Sequence, residues 1–306
     1  MSRAVVFAYH SFGVEGLEAL TRAGVTIARV FTHRDSTTER IWWRSVAGWC
    51  VAQGIPCEFD VDGKDPALHS RIAVDKPQWI FSFFYRQMIP EAVLNLATNG
   101  AWNLHSSLLP AFRGRSPINW QLVHGAERSG LTLHRMVRKA DAGEIVGQHA
   151  VTVHPDQDAV GLIRQLLACV PAFLDRVLDQ LLTGKATPWQ QDQAQASYFG
   201  GRTPADGLID WSQPARHIHN LVRAVAPPWP GAFTGLAGRK LFIWRTSVHE
   251  EQSRSDMPGL VLGDGTIACG TGSVVILSQA WAANEAPVAL AAGSRLISSP
   301  SLLSCS

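Results

Sequence analysis

Short apolar runs alternate with amphipathic segments along the first third of the chain. Nearly continuous apolar runs predict buried strands at residues 4–9, 25–33, 78–85 and 100–110. Helical spacing of apolar residues, in several cases closed by a glycine, predicts helices at 13–24, 40–54 and 91–100. Strands that alternate with helices are typical of a mostly parallel sheet with right-handed crossovers. The pattern therefore predicts a Rossmann-like α/β domain.

The pattern changes after a long amphipathic helix predicted over 159–184. Residues 185–207 are polar and rich in Gln, Gly and Pro, which is typical of a linker. Beyond them, the pattern predicts a helix at 217–225 and then short strands at 240–248, 259–263, 266–270 and 273–280. We predict two domains, an α/β domain over 1–203 and a small OB-like β-barrel domain over 204–306 with an unstructured end.

Composition excludes several classes of protein. The chain has 306 residues, 46% of them hydrophobic and 17% charged, which is ordinary for a soluble protein with a sizeable core. Five scattered cysteines without a CxxC pair argue against a disulfide framework or a structural zinc site. The first ten residues predict a buried strand rather than a signal peptide, and no apolar run is long enough to span a bilayer. We expect a cytoplasmic protein without membrane insertion.

Two common nucleotide-binding patterns are missing from the sequence. The turn after the first predicted strand, "YHSFGVEGLEAL", has two glycines rather than the three of the dinucleotide fingerprint. The Walker pattern G-x-x-x-x-G-K-[ST] is also absent. The net charge of +2 is too small to identify a partner. Binding of a dinucleotide or a P-loop nucleotide is therefore disfavoured.

The stretch "AWNLHSSLLPAFRGRSP", residues 101–117, contains the first candidate chemistry. Asn103 and His105 are two residues apart on a predicted strand, so they point to the same face near its carboxyl end, where open parallel sheets bind ligands. The amide can donate a hydrogen bond, and the imidazole can move a proton near neutral pH. Arg113 and Arg115 suit anionic partners. Alternatively, the histidine caps a loop and the arginines are solvated.

Asp141, in the polar turn "KADAGEIV", is the second candidate. If the fold brings them together, its carboxylate can accept a hydrogen bond from His105, orient the ring and favour its protonated form. Taken alone, its spacing favours an Asx-turn residue. A metal site at His217 and His219 is disfavoured, because residues two apart on a helix do not share a face. We expect one of these two histidines to be buried and the other solvated.

Two segments, "NLHSSLLPAFRGRSPINW" and "GLTLHRMVRKADAGEIVGQ", resemble the formyltransferases that use 10-formyltetrahydrofolate. The family's Asn, His and Asp match Asn103, His105 and Asp141, and its SLLPxxRG signature matches Ser107–Gly114. The segments "IDW" and "PPWPGAF" extend the resemblance over nearly the whole chain. The resemblance implies a formyltransferase catalytic domain over 1–203, catalysis by those three residues, and no metal.

Within this family, "VVFAYHSFGVEGLEAL", "IFSFFYRQMIP", "LHRMVRKADAG" and "HNLVRAVAPPWPGAF" are most similar to the enzymes that formylate UDP-4-amino-4-deoxy-L-arabinose for lipid A modification and polymyxin resistance. A further NAD-dependent decarboxylase domain accompanies that activity, and we expect none within these 306 residues. The resemblance implies folate contacts from Gln87, Met88, Ile89, Arg115, Val137, Arg138, Lys139, Ala140 and Asp141. Gln87 stands where the family has a histidine, which leaves a backbone contact, and the resemblance gives Arg113 no role.

Three other functions fit parts of the pattern. The first is methionyl-tRNA formyltransferase, which has a similar length and the same three residues. Against it, residues 206–306 carry seven basic and seven acidic side chains, and a tRNA binder needs a positive surface. The second is another sugar N-formyltransferase. The third is a non-catalytic module that binds folate or a nucleotide sugar. We expect a nucleotide-sugar substrate and no nucleic-acid partner.

Overall fold

The computed structural model describes residues 2–35, 37, 40–59, 65–254, 257–281 and 285–299. For residues 66 and 250–254 it describes the backbone alone. The chain end at 300–306, predicted to be unstructured, lies outside these residues. The chain divides into two compact units. The first comprises Met1–Pro117, Arg128–Thr152 and Ile163–Gly200, and the second comprises Ile118–Glu127, Val153–Leu162 and Gly201–Ser306. The boundary at 203/204 stays a prediction.

A sheet of seven strands forms the centre of the described part of the first unit. The strands are β1 (Arg3–Ala8), β2 (Thr26–Thr32), β3 (Cys57–Phe59), β4 (Trp79–Phe83), β5 (Ala101–His105), β7 (Arg128–Arg135) and β8 (Ile145–Thr152). Their order is β3-β2-β1-β4-β5-β7-β8. The first five are parallel, whereas β7 and β8 pair antiparallel. The predicted Rossmann-like, mostly parallel sheet is confirmed. Two short strands, β6 (Arg113–Gly114) and β9 (Tyr198–Phe199), form a separate parallel pair.

Helices cover both faces of this sheet, which explains why its central strands are almost continuously apolar. The helices are α1 (His10–Arg22), α2 (Val46–Gln53), α3 (Pro66–Ala73), α4 (Glu91–Leu94) and α6 (Ala159–Leu182). Helix α5 (Pro117–Val123) belongs, from Ile118 on, to the second unit. One face carries a hydrophobic cluster to which α3 and α4 contribute, with members Val5, Phe7, Phe31, Leu68, Ile72, Ile80, Ile89, Val93, Leu94, Ala97 and Ala101. On the other face, Gly16 of α1 meets the ring of Phe83, and Gly147 of β8 meets Val177 of α6.

Some predicted elements differ from those observed, for local reasons. The helix predicted from residue 40 begins only at Val46, because the side chain of Ser45 accepts the N–H of Gly48 and caps the helix there. The helix predicted over 91–100 is the single turn α4. Helix α3 was not predicted, although Asp65 caps it and a proline follows at its first position.

The second unit contains helix α7 (Ala215–Val225) and an antiparallel sheet. Its strands are β10 (Ala232–Leu236), β11 (Arg239–Arg254), β12 (Ile267–Ala268) and β13 (Thr271–Ala280), in the order β10-β11-β13-β12. The sheet forms a half-barrel, in agreement with the OB-like domain predicted here. The strand predicted at 259–263 is reduced to isolated bridges, at Leu260 and Val261.

Helix α7 separates its two histidines as expected. His219 is buried and contacts the hydroxyl of Thr246 and the carbonyl of Pro155, whereas His217 is exposed. Across the described part of the chain, no helix combines the length and the apolar character that crossing a membrane requires.

Gly16 provides a test of how closely α1 packs on the sheet. A Cβ atom at this position would lie 2.4 Å from the ring of Phe83, so Gly16→Ala should lower the free energy of unfolding by about 1–3 kcal/mol. Gly48→Ala is the matched control, since its Cβ would lie 3.5 Å from the nearest atom, in Ser45. Helix propensity should make the control neutral or about 0.5–1 kcal/mol stabilising. Urea denaturation measures both, and equal effects would contradict the packing.

Candidate active site

Strand β5 places two of the predicted residues on one face of the sheet. Asn103 and His105 alternate with Trp102 and Leu104, and they share their face with Ala101 of the hydrophobic cluster. His105 is buried, and Asn103 is half-buried. The period of two in the strand thus produces the shared orientation that the sequence predicted.

The turn after β7 brings Asp141 to the same place. Its backbone has a positive φ of 52°, and its Oδ2 accepts the N–H of Gly114 at 2.8 Å. Its Oδ1 lies 3.7 Å from Nδ1 of His105 and 3.4 Å from Nδ2 of Asn103. The structure therefore brings Asn103, His105 and Asp141 together. The contact between His105 and Asp141 is an ion-pair distance, longer than the hydrogen bond that the sequence predicted.

The position of one hydrogen on His105 follows from its second partner. Nε2 lies 2.8 Å from the carbonyl oxygen of Phe112, and a carbonyl can only accept. Nε2 therefore carries a hydrogen and donates it to Phe112, while Nδ1 faces Asp141. Phe112 itself has a positive φ of 60°, and its N–H donates to the hydroxyl of Ser197. The loop after β5 thus fixes the orientation of the imidazole ring.

A second buried histidine belongs to this cluster, and sequence reasoning missed it. His134 of β7 is 1% exposed and stands directly opposite Asn103 in the antiparallel pairing of β5 with β7. Its Nε2 lies 3.1 Å from Nδ2 of Asn103 and 3.3 Å from Oδ1 of Asp141. The signal that would have found it is strand pairing, since directly opposed residues share a face.

The electrostatics of the cluster depend on the Asp141 carboxylate. Burial by itself raises the pKa of this carboxyl. Nearby groups, His105 first and also the N–H of Gly114, lower it more strongly, and together they hold the pKa of Asp141 well below its usual range. Asp141 is therefore ionised at neutral pH.

Gly114 is required by the close approach of two chain segments. Its φ is +96°, and a Cβ atom there would lie 2.2 Å from the carbonyl oxygen of Phe199. The strand pair β6–β9 produces this approach, with the N–H of Arg115 donating to the same carbonyl. The backbone N–H of Gly114 is thereby aimed at Asp141.

Part of the polar segment 185–207, predicted to be a linker, supports the backbone of this site. Gln191 is buried, and its amide nitrogen donates to the carbonyl oxygens of Asp141 and Gly143. Its amide oxygen accepts from the guanidinium of Arg113. The linker prediction is therefore wrong for residues 189–199, where Trp189 pairs with Ile145 and β9 pairs with β6. Local composition does not reveal that Gln191 is buried.

Arg113 is an internal residue. Its side chain is fully buried, and besides Gln191 it donates to Gln193 at 3.0 Å and to the hydroxyl of Tyr198 at 2.6 Å. The sequence pattern suggested an anionic partner for this arginine, and the structure gives it neutral internal partners instead. Arg115, in contrast, is exposed.

The predicted folate-contacting residues lie in exposed loops, with one exception. Gln87, Met88, Arg115, Val137, Arg138 and Lys139 are exposed, and Ala140 is half-buried. The side chain of Ile89 is buried in the hydrophobic cluster, which leaves its backbone for a ligand. Met136 packs against the same cluster, so the loops 87–89 and 137–141 lie on one side of the sheet. Within the described ranges, no group of three or more His, Cys, Asp or Glu side chains is placed to hold a metal ion.

The lowered pKa of Asp141 gives a prediction about stability. A carboxylate with a lowered folded-state pKa stabilises the protein above its unfolded-state pKa of about 4, and this contribution is lost as the pH falls below that value. Asp141→Asn should therefore lower the free energy of unfolding by about 1–3 kcal/mol at neutral pH. The difference in the free energy of unfolding between this variant and the wild type should become smaller below about pH 4. Urea denaturation across this range is the measurement, and a difference independent of pH would show that the charge is not responsible.

Solved structures with a similar architecture include sugar and tRNA formyltransferases. WlaRD, a sugar 3N-formyltransferase crystallised in the presence of dTDP and 5-N-formyl-THF, is 17% identical, with a TM-score of 0.67 over 90% of this chain and 97% of its own. An N-formyltransferase from Helicobacter canadensis, in complex with folinic acid and dTDP-3-aminofucose, is 15% identical, with a TM-score of 0.68 over 90% and 99%. Methionyl-tRNA formyltransferase from Clostridium thermocellum is 15% identical, with a TM-score of 0.54 over 81% and 93%. At these identities the similarity is one of fold.

Family models match both parts of the sequence. The model of the formyl transferase domain matches residues 14–178, and the model of the formyl transferase C-terminal domain matches residues 202–290. The first match contains the whole of the cluster around Asp141. The chain belongs to the formyltransferase family.

Proposed function

We propose that the protein transfers a formyl group from 10-formyltetrahydrofolate to the amine of a nucleotide-linked amino sugar. The observation that supports this most directly is the convergence of Asn103, His105 and Asp141 on one face of the sheet, beside exposed loops. An amide donor, an imidazole and an ionised carboxylate are the groups that this reaction requires. A non-catalytic binding module would have no need of this arrangement.

Asn103 is the proposed hydrogen-bond donor to the oxyanion. When a neutral amine attacks the formyl carbon, negative charge develops on the formyl oxygen. A hydrogen bond from Nδ2 of Asn103 to that oxygen stabilises the charge, a type of interaction worth about 3 kcal/mol of barrier. Holding the amine and the formyl donor side by side supplies the remaining rate enhancement without a covalent intermediate.

His105 is the proposed proton donor to the leaving group. In the reaction, N10 of the folate departs with the electron pair of its bond to the formyl carbon and takes up a proton. The imidazolium of His105 can supply that proton, and the neutral imidazole that remains can then take up the proton of the attacking amine. Asp141 stabilises the imidazolium, since its ionised Oδ1 lies 3.7 Å from Nδ1.

The formyl donor is proposed to lie against the loops 87–89 and 137–141 and Arg115. These loops share one side of the sheet, and their exposed side chains are free of the core. Ile89 would contribute its backbone, because its side chain is buried in the hydrophobic cluster. The structural neighbours that contain folates support a folate as formyl donor here.

The proposed acceptor is UDP-4-amino-4-deoxy-L-arabinose, with a role in lipid A modification and polymyxin resistance, in the cytoplasm. The resemblance of residues 5–20, 80–90 and 219–233 to the enzymes that formylate this sugar supports the choice. The neighbours crystallised with dTDP or a dTDP-sugar support the broader class of nucleotide sugars. Another sugar N-formyltransferase is therefore the nearest alternative.

Methionyl-tRNA formyltransferase is the second candidate, because one neighbour of the same fold has that activity. Binding of tRNA needs an excess of basic side chains on the contacting surface. Residues 206–306 carry seven basic and seven acidic residues, a balance that favours a small acceptor.

Removal of the reacting groups should abolish most formyl transfer without unfolding the protein. Asn103→Ala should lower kcat by about 100- to 1000-fold, and His105→Ala by a similar factor. Steady-state kinetics with 10-formyltetrahydrofolate measures the loss, and circular dichroism checks the fold. Transfer at the wild-type rate by His105→Ala would overturn the mechanism.

A panel of acceptors tests the substrate class. Purified protein and 10-formyltetrahydrofolate are incubated in parallel with UDP-linked amino sugars, dTDP-linked amino sugars and methionyl-tRNA. We expect the highest kcat/KM with UDP-4-amino-4-deoxy-L-arabinose, because the sequence resembles the enzymes that act on it. A preference for a dTDP-sugar would replace this acceptor with another of its class. A preference for the tRNA would overturn the proposal.

A further inference from the structure

We infer that His134 is a positioning residue, which holds the amide of Asn103 so that one of its N–H bonds is available to the formyl oxygen. This inference rests on the proposed function of Asn103. Neither the pattern in the sequence nor the resemblance to the family assigned a role to His134. Its ring contacts two members of the site, Asn103 and Asp141, through a single nitrogen.

The tautomer of His134 follows from its backbone partner. Nδ1 lies 2.9 Å from the carbonyl oxygen of Arg135, so Nδ1 carries a hydrogen and donates it. That carbonyl is held in place because Arg135 is part of β7 and its N–H donates to Glu144. In the neutral ring the lone pair of Nε2 remains free to accept a hydrogen bond. The group that faces it at 3.1 Å is Nδ2 of Asn103.

This contact selects the orientation of the Asn103 amide. Nε2 of the neutral ring accepts from an N–H and repels a carbonyl oxygen, so the nitrogen end of the amide must face His134. One hydrogen of Nδ2 is then held by His134 at 3.1 Å. The other points toward Oδ1 of Asp141 at 3.4 Å, a long contact. The second hydrogen is therefore the one that can exchange this long contact for a hydrogen bond to the formyl oxygen.

The surroundings keep His134 in this position. The residue is 1% exposed and stands opposite Asn103 in the antiparallel register, so both side chains share a face. The pairing of β7 with β8 shifts register between Leu133 and His134, and such irregularities redirect side chains. The titratable groups of the site that face the ring are Asp141, at 3.3 Å, and His105, whose ring centroid is 6.3 Å away.

A double-mutant cycle tests the inference. His134→Leu removes the acceptor and keeps an apolar side chain of similar reach, and it should lower kcat by about 10- to 100-fold with little change in either KM. In the Asn103→Ala background, the same substitution should lower kcat by a further factor of less than about 2, because the group through which His134 acts is already gone. If the kcat of the double variant falls by the product of the two single losses, the inference is overturned in favour of a general structural role.

Two further variants separate positioning from packing. His134→Gln offers an amide oxygen that can accept from Asn103, and it should recover much of the activity that His134→Leu loses. His149→Leu is the matched control, since His149 is a half-buried histidine on the neighbouring strand β8 that contacts Phe173, and its kcat should equal that of the wild type. Equal kcat values for the Gln and Leu variants at 134 would contradict the role of the acceptor.

A measurement without turnover keeps this inference separate from the proposed function. Nitrogen-15 NMR of the histidine rings should show a protonated Nδ1 and an unprotonated Nε2 for His134. The signals of His134 are identified by their absence from the spectrum of His134→Gln. Asn103→Ala should shift the Nε2 resonance and leave Nδ1 nearly unchanged. A proton on Nε2 in the free protein at neutral pH would overturn the inference. If the spectra agree and no acceptor is formylated, the proposed function fails while the contact stands.

Discussion

The buried carboxylate of Asp141 connects parts of the chain that are far apart in sequence. It lies close to Asn103 and His105 of β5, to His134 of β7 and to the backbone of Gly114. A buried charge is unfavourable unless hydrogen bonds and opposite charges compensate for it. The N–H of Gly114 provides such a bond, and His105 favours the ionised form. The arrangement of the site therefore depends on keeping one anion in place.

That requirement extends to residues that touch no substrate. Gly114 can direct its N–H at Asp141 only because the absence of a side chain lets Phe199 approach. Gln191 donates a hydrogen bond to the backbone carbonyl of Asp141 and is itself held by the buried Arg113. The charge of Arg113 is satisfied by amide and hydroxyl oxygens, which fixes the polar segment to the loop after β5. The two arginines beside Gly114 thus have different surroundings, Arg113 buried and Arg115 exposed, although they are chemically identical.

The sequence was sufficient for features that depend on local periodicity. The shared face of Asn103 and His105 follows from the period of two in a strand, and the parallel part of the sheet follows from alternating elements. Features set by pairing between distant segments were not accessible. The local pattern around His134 does not distinguish it before the β5–β7 register is known, and Gln191 lies in a segment whose composition predicts a linker. Helix α3 is different, because its start signal, the cap at Asp65 followed by a proline, is present in the sequence itself.

The antiparallel pairing of β5 with β7 also limits how the length of this chain can vary in evolution. Side chains alternate along a strand, so inserting or deleting one residue in β7 before His134 would turn that residue to the opposite face. The same change between His134 and Asp141 would displace the carboxylate from β5. Variants of this protein that differ in length should therefore carry their insertions outside β7 and outside the segment from His134 to Asp141, and natural length differences should show which spacings the chemistry requires.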